Sequence, residues 1–168
     1  MNKLLAVTFG ASGLLGLSAL APPDTRLVWN ASASVPIGLY GVGPAGKLKV
    51  TDLVLARAPE PLATFLDESR YVPRGVPLLK RVAALPGQRV CREGDALMID
   101  GVIWARTRER DSRGRELPSW HGCRALLDGE VLLLNWDEPD SLDGRYFGPL
   151  PVTSIVGRAT PLWTAEDE

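Results

Sequence analysis

The chain opens with its longest apolar run, which extends from Leu4 to Ala21 without a charged residue. As a helix rising about 1.5 Å per residue, such a run reaches roughly 27 Å, close to the apolar thickness of a bilayer. Lys3 precedes the run, and no charge follows it before Asp24. The pattern predicts a transmembrane or signal helix over residues 1–22, with its short leading side in the cytoplasm and residues 23–168 outside it.

The same run also ends in a motif that is typical of cleaved signal peptides. Ala19-Leu20-Ala21 has the A-x-A form of a secretory cleavage site, so removal of the segment is an alternative. Cleavage there would place Pro22 directly after the scissile bond, and its tertiary amide has no N–H to pair with a protease cleft. A retained anchor is therefore favoured, and a buried core helix is the third interpretation.

Beyond the first segment the apolar stretches are short and separated by glycine and proline, which predicts strands joined by turns. Segment 25–40 contains Pro36 and Gly38 and is predicted as strand and turn, with Ser34 on a loop or at a strand end. Four further strands are predicted, over Lys49–Ala58, Val76–Ala84, Glu130–Asn135 and Ser154–Trp163. One short helix is predicted over Glu60–Tyr71, whose apolar residues follow helical spacing.

The clearest local pattern is Asp100-Gly101 between two apolar pairs, Met98-Ile99 and Val102-Ile103. This arrangement is typical of a hairpin with a two-residue type I′ turn. Glycine (17) and proline (14) both exceed ordinary usage, which favours many short strands over a helical bundle. The expected fold is mainly β.

Charge and histidine content weigh against several classes of protein. Lysine plus arginine (19) nearly balance aspartate plus glutamate (20), so no basic field argues for a nucleic-acid partner. His121 is the only histidine, which speaks against a metal site and against a histidine-dependent triad unless His121 is itself the base. The arginine-rich stretch Ala105–Pro118 is interpreted as a solvated loop or lobe, with a substrate-binding role for its arginines as the alternative.

Cys91 and Cys123 are the two cysteines of the chain, and their spacing fits no CxxC redox motif. Together with an export signal they fit one structural disulfide in an oxidising compartment. Two unpaired cysteines in the core are the alternative interpretation.

Lys80 stands among apolar residues inside the predicted strand Val76–Ala84. Burying an ammonium group without a partner is costly and lowers its pKa, and a lysine with a lowered pKa can act as a base towards a serine hydroxyl. Periodicity and composition by themselves favour a surface lysine that reaches solvent.

Three segments then carry short motifs in a fixed order. Ser34-Val35-Pro36-Ile37-Gly38-Leu39-Tyr40 has the form Ser-x-Pro-x-Gly-Leu-Tyr, Lys80-Arg81-Val82-Ala83-Ala84-Leu85-Pro86-Gly87 begins with the lysine, and Ser141-Leu142-Asp143-Gly144-Arg145-Tyr146-Phe147-Gly148 follows. They resemble the nucleophile box, the lysine box and the Ser-x-Asp-Ser-Arg-x-x-Gly box of the signal peptidase I family of serine-lysine proteases. The first box has the shortened form of the family's conjugative transfer peptidases.

The resemblance implies a role for each matching residue. Ser34 would attack the substrate carbonyl, Lys80 would take its proton and return it to the leaving amine, and Ser141 would orient the lysine. The backbone N–H of Ser34 and the hydroxyl of Ser32 would form the oxyanion hole, although Ser32 also fits as a plain turn serine.

The resemblance further implies that Asp143 pairs with Arg145 and braces the site, either as a catalytic support or as a structural salt bridge. Two departures from the family pattern put supporting hydrogen bonds in doubt. Gly144 stands where the family has a serine, and Asn135-Trp136-Asp137-Glu138 stands where many relatives carry Gly-Asp-Asn-Arg.

For the fold, the resemblance implies a mainly antiparallel β catalytic core with a small inserted lobe, here over about residues 91–129, behind the N-terminal helix. Cys91 and Cys123 would bracket that lobe, which gives a disulfide between them a structural purpose.

For function, the resemblance implies a serine endopeptidase without cofactor or metal, anchored in the bacterial inner membrane with its catalytic domain in the periplasm. Its partners would be the lipid bilayer and a membrane-anchored pilin-type protein, which it would cleave and then join end to end. A non-catalytic, membrane-anchored assembly factor of a pilus or secretion machine is the alternative; such a protein would have lost Ser34 or Lys80, and both are present.

Overall fold

A computed structural model describes residues 26–166. The predicted anchor at residues 1–22 lies outside this range, and no helix within it is long and apolar enough to cross a membrane. In chain order the elements are β1 (Arg26–Asn30), β2 (Gly38–Gly43), β3 (Leu53–Ala56), α1 (Leu62–Glu68), β4 (Leu78–Ala84), β5 (Arg89–Glu93), β6 (Ala96–Ile99), β7 (Val102–Arg106), β8 (Gly122–Ala125), β9 (Glu130–Leu134), α2 (Gly144–Phe147), β10 (Leu150–Pro151), a 3-10 turn (Val152–Ser154) and β11 (Ile155–Thr164).

The strands form two antiparallel sheets, which confirms the mainly β expectation. The larger sheet has seven strands in the order β1-β2-β11-β3-β4-β9-β10, and the smaller has four in the order β7-β6-β5-β8. The chain leaves the larger sheet after β4, builds the smaller sheet, and returns as β9 to pair with β4. Strand β4 therefore lies inside the larger sheet, between β3 and β9.

The two sheets share an apolar core. Its buried members come from β4 and β9 on one side and from the smaller sheet and its flank on the other: Ala83, Ala84, Leu132 and Leu134 pack with Val90, Leu97, Ile99, Ala105 and Leu126. Each Å² of apolar surface that this core removes from water stabilises the fold by about 25 cal/mol. The packing also fixes the smaller sheet against the end of β4.

Local signals explain where several strands begin and end. Asp100 and Gly101 both adopt positive φ angles, 49° and 82°, as a type I′ turn between β6 and β7 requires. The predicted strand over Lys49–Ala58 shortens to β3, because Lys49 and Asp52 close a turn in which the Lys49 N–H donates to the Asp52 carboxylate at 2.7 Å. Strands β5 and β8 have no counterpart among the predicted strands.

Candidate active site

The loop between β1 and β2 carries Ser34 and is held by two side chains at its ends. Asn30, the last residue of β1, donates its amide to three carbonyl oxygens of the loop, those of Ser32 (2.8 Å), Val35 (3.0 Å) and Pro36 (3.1 Å). From β2, Tyr40 donates its hydroxyl to the same Pro36 carbonyl at 2.6 Å. The loop backbone is thus fixed by side chains where no strand partner can reach it.

Gly38 of the first motif is explained by a close approach of two strands. A Cβ at this position would lie 2.1 Å from the carbonyl oxygen of Trp163 and 2.8 Å from the Cα of Thr164, both backbone atoms of β11. No side chain fits there, so glycine is required for β2 to pair with β11 next to the Ser34 loop.

Ser34 and Ser32 face each other within this loop. The Ser32 hydroxyl donates to Asn30 Oδ1 at 2.9 Å, and the Oγ atoms of Ser32 and Ser34 lie 3.2 Å apart. Because the single Ser32 proton points to Asn30, Ser34 is the donor of the bond between the two serines. The backbone N–H of Ser34 has no acceptor among the described residues.

Lys80 lies inside β4 and is 4% exposed. Its Nζ donates to the Oγ of Ser141 at 2.8 Å. Burial lowers the pKa of Lys80 to about 8, while the negative charge of Asp143 raises it and the positive charge of Arg145 lowers it further. Lys80 is therefore an interior residue with a lowered proton affinity, and the interpretation of Lys80 as a surface lysine that reaches solvent is wrong.

Asp143 and Arg145 form a buried bidentate ion pair, at 0% and 1% exposure. Arg145 Nε donates to Asp143 Oδ1 at 2.8 Å, and Nη2 donates to Oδ2 at 3.0 Å. The guanidinium also donates to three carbonyl oxygens of the preceding loop, those of Asn135, Glu138 and Pro139. The pair thereby fixes the loop that leads from β9 to Ser141, and Asp143 additionally caps α2 through the Arg145 N–H.

Asn135, which the sequence did not single out as a site residue, holds the backbone on both sides of Lys80. Its Nδ2 donates to the Leu79 carbonyl at 3.2 Å, and its Oδ1 accepts from the Arg81 N–H at 3.2 Å. Its own N–H donates to Asp143 Oδ2 at 2.9 Å. The side-chain amide therefore continues the β4–β9 ladder past the end of β9 and ties Lys80 to the buried ion pair.

The two departures from the family pattern have structural reasons. A Cβ at Gly144 would lie 2.7 Å from the carbonyl oxygen of Leu133 and 2.7 Å from Cδ1 of Leu132, so the position has no room for the family's serine. Asn135, at the first position of the other departure, supplies the hydrogen bonds just described. The glycine at 144 thus allows α2 to pack closely against β9.

Ser34, Ser32, Lys80 and Ser141 line one cleft of about 840 Å³. Its walls are mostly apolar and come from β1, α1, the segment between α1 and β4, the start of β4 and the loop after Pro139. The apolar side chains are Val28, Leu66, Val72, Val76, Leu78 and Leu142. In the structure Ser34 bonds to Ser32 and Lys80 bonds to Ser141, so the two predicted dyad residues share the cleft without a direct hydrogen bond.

Outside the cleft, Cys91 and Cys123 are directly opposed on β5 and β8 and form a disulfide. Glu93 lies near both sulfurs, but a disulfide leaves no thiolate to bind a metal ion. His121 is exposed and does not line the cleft, so the alternative of a histidine base is wrong for this site.

Comparison with known proteins gives consistent matches. A family model described as signal peptidase, peptidase S26 matches residues 2–163. A conjugal transfer protein TraF of Agrobacterium fabrum is 33% identical over an alignment of 147 positions, and the alignment covers 80% of this chain and 81% of that protein. A plasmid transfer protein TraF of Escherichia coli is 29% identical over an alignment of 176 positions, and the alignment covers 98% of this chain and 96% of that protein.

Among solved structures, a signal peptidase I from Enterococcus faecalis matches with 22% sequence identity and a TM-score of 0.42. The match covers 69% of this chain and 99% of that chain.

Proposed function

The chain belongs to the peptidase S26 signal peptidase family, and on that premise we propose that it is a membrane-associated serine endopeptidase with Ser34 as nucleophile and Lys80 as general base. One observation carries the proposal: Lys80 is buried in the same cleft as Ser34 and its pKa is lowered to about 8. A lysine of ordinary pKa holds its proton at neutral pH, whereas a pKa of about 8 leaves part of Lys80 neutral there.

In the proposed acylation step, Ser34 turns about its Cα–Cβ bond from Ser32 towards Lys80. The neutral amine keeps its N–H bond to Ser141, which leaves its lone pair to accept the Ser34 proton. Oγ then forms a bond to the substrate carbonyl carbon. When the C–N bond breaks, the proton on Lys80 passes to the leaving amine and an ester remains on Ser34.

The developing oxyanion would be stabilised by the backbone N–H of Ser34, which has no acceptor among the described residues, and by the Ser32 hydroxyl. In the free protein that hydroxyl donates to Asn30, so Ser32 must turn away from Asn30 before it can donate to the oxyanion. The Asn30 amide, which holds the loop backbone through three carbonyls, keeps the loop in place while this hydroxyl rotates.

We place the catalytic domain in the periplasm, with the lipid bilayer as a partner. The family and the Cys91–Cys123 disulfide both favour an extracytoplasmic domain. On the rim of the cleft, Trp29 stacks on Trp163 with ring centroids 5.8 Å apart, and Leu27 and Leu162 nearby are 66% and 58% exposed. Leu27 and Trp29 of this exposed cluster come soon after the predicted anchor in the chain, and the cluster suits a membrane interface.

The proposed substrate is a membrane-anchored pilin precursor, as the resemblance to conjugative transfer peptidases implies, and the relatives of this chain are named conjugal or plasmid transfer proteins. The ester on Ser34 can be resolved by water or by an amine. If the amino terminus of the same pilin attacks, the new peptide bond closes a ring and Lys80 accepts the amine's proton. A tethered amine at millimolar or higher effective concentration can compete with water.

The proposal is tested first with a serine-directed fluorophosphonate probe on the full chain in detergent micelles. Labelling is expected at Ser34, to rise with pH through about 8, and to disappear in Ser34→Ala and Lys80→Ala. Lys80→Arg should also fail, because a guanidinium does not lose its proton at usable pH.

The same labelling separates the peptidase from a non-catalytic assembly factor. An intact, folded chain that is labelled no faster than Ser34→Ala would favour the assembly factor. Cyclisation is tested separately by the intact mass of processed pilin, where a circular product is lighter than the linear cleaved chain by one water.

A further inference from the structure

Arg92, in β5 of the smaller sheet, is a buried guanidinium without an acidic partner. It is 5% exposed, and the one hydrogen bond of its side chain runs from Nη1 to the Pro118 carbonyl at 3.4 Å, near the long limit for such a bond. Its Nε is enclosed without any acceptor. Burial holds the pKa of Arg92 below its usual range, with Tyr146 alone acting in the opposite direction. A buried charge left in this state is costly.

Arg145 shows what the same group looks like when it is satisfied. Its Nε and Nη2, which form one edge of the guanidinium, bind the two carboxylate oxygens of Asp143. In Arg92 neither Nε nor Nη2 has a partner among the described residues, and Nε is closed off by the surrounding protein. Nη2 is therefore the nitrogen that a carboxylate in the adjoining cavity can reach, through a charge-assisted hydrogen bond.

Arg92 lines a cavity of about 480 Å³ that also receives Thr107, Ser119 and His121. A second cavity of about 280 Å³ shares Arg108 and Leu117 with it. That second cavity in turn shares Tyr71, Asp140 and Leu142 with the cleft of Ser34. The cavity of Arg92 is therefore linked to the cleft of Ser34 through one intervening cavity and the side chains that neighbouring cavities share.

We propose that Arg92 binds a carboxylate of the polypeptide substrate at a secondary site outside the cleft, through Nη2 of its guanidinium. The inference rests on the proposed peptidase function. One unpaired guanidinium balances one carboxylate, and because Asp95, Glu109 and Glu116 line the same cavity, a phosphate with its second charge would be repelled more strongly than a carboxylate. The carboxylate comes from an acidic side chain or from the chain terminus of the substrate.

Binding is measured by fluorescence anisotropy on the full chain carrying Ser34→Ala, in detergent micelles, so that no turnover interferes. The probes are labelled, extended, alanine-rich peptides that differ in one group at a time: a glutamate or a glutamine at successive positions, and a free or amidated carboxyl terminus. We expect the carboxylate form to bind about threefold to tenfold more tightly at one position, and the preference to weaken as salt is raised. The position, or the terminus, identifies the source of the carboxylate.

Arg92→Gln is expected to abolish this preference. The matched control is Arg89→Gln, which removes the same charge from the same strand at an exposed residue that lines neither cavity. Loss of the preference in Arg92→Gln and its retention in Arg89→Gln support the proposal. A preference that survives Arg92→Gln, or equal binding of all peptides by protein with Arg92 intact, overturns it.

Folding of the variants is checked by thermal unfolding without peptide. Since the Arg92 charge is uncompensated in the free protein, Arg92→Met should melt at the same temperature as the parent or above it. A large fall in melting temperature would assign Arg92 to the architecture and overturn the proposal. Turnover is measured separately on protein with Ser34 intact. Cleavage without a carboxylate preference would support the proposed peptidase function and overturn the Arg92 site. A carboxylate preference without cleavage would support the Arg92 site and count against the peptidase function.

Discussion

Arg145 and Arg92 are both buried arginines, and they have opposite surroundings. Arg145 lies in α2, beside the candidate active site, where Asp143 and three backbone carbonyls accept its hydrogen bonds. Arg92 lies in the smaller sheet with one long bond to a carbonyl. The first arrangement balances the cost of burying the charge, and the second leaves it for a ligand to balance.

Lys80 belongs with Arg92 in this comparison. It is a buried cation whose one hydrogen bond goes to a neutral hydroxyl, that of Ser141. Its chemistry depends on this lack of compensation, because a carboxylate in direct contact would raise its pKa and hold the proton. On the proposed roles, the paired charges of Asp143 and Arg145 serve the architecture, whereas the unpaired cations Lys80 and Arg92 serve catalysis and binding.

The largest effect is expected where the paired charge is broken. Asp143→Asn keeps the shape of the side chain but leaves Arg145 buried without its counter-ion, so we expect the free energy of unfolding to fall by about 3–5 kcal/mol. Chemical denaturation at pH 7 measures this. The variant should also lower the pKa of Lys80, because the negative charge of Asp143 raises it.

A double variant provides the control for this prediction. Asp143→Asn combined with Arg145→Met removes both charges and should recover part of the lost stability. A loss below about 1 kcal/mol in the single variant would mean that the pair is not the brace that its contacts indicate.

The opposite sign is expected where the unpaired charge is removed. Lys80→Met should abolish turnover and raise the free energy of unfolding at pH 7 by about 1–3 kcal/mol, since the buried ammonium is replaced by an apolar chain.

The pH dependence of this gain follows from the pKa of Lys80. Because its folded pKa of about 8 lies below the model value of 10.5, the unfolded chain binds more protons between these values, and the native protein becomes more stable as pH rises through that window. The advantage of Lys80→Met should therefore be complete below about pH 8 and shrink towards pH 10.5. A gain that does not change with pH would exclude a depressed lysine pKa as its cause.

A smaller change is expected at Asn135, which holds the β4 backbone around Lys80. Asn135→Ala removes the bonds to Leu79 and Arg81 and should cost about 1–2 kcal/mol in unfolding free energy. Water would then reach Lys80 more easily, so its pKa should rise and the pH midpoint of activity should move upward. A fall in activity with an unchanged midpoint would assign Asn135 a general structural role.

Much of this arrangement could be predicted from the sequence, where the signal is local. The Asp100-Gly101 turn needs only two neighbouring residues that tolerate positive φ, and the Ser34 and Lys80 boxes each fit within eight residues. The short helix predicted over Glu60–Tyr71 appears as α1 for the same reason.

Asn135 and Arg92 could not be found in this way. Asn135 acts through residues 56 and 54 positions away, and an asparagine at the end of a predicted strand gives no sign of such partners. Arg92 stands in β5, whose sequence Arg-Val-Cys-Arg-Glu alternates too weakly to predict a strand, and its isolation depends on which acidic groups the fold leaves out of reach. The hydrogen bonds of Asn135 and the isolation of Arg92 both follow from tertiary contacts, which the local sequence pattern does not reveal.

The smallest effect is expected for an exposed ion pair of the smaller sheet, and it sets the lower end of the comparison. Arg106 and Asp95 lie 2.8 Å apart, but their side chains are 64% and 58% exposed, so water and salt screen the attraction and the two chains lose rotamer freedom when they meet. A double-mutant cycle with Arg106→Gln and Asp95→Asn should give a coupling of at most about 0.5 kcal/mol, and less in 1 M salt. The same cycle on Asp143 and Arg145 should give a coupling several times larger. That coupling should change little with salt, because solvent does not reach the buried pair. If the two cycles gave equal couplings, burial would not be what distinguishes the arginines of this protein, and the significance assigned to the unpaired charge of Arg92 would fall with it.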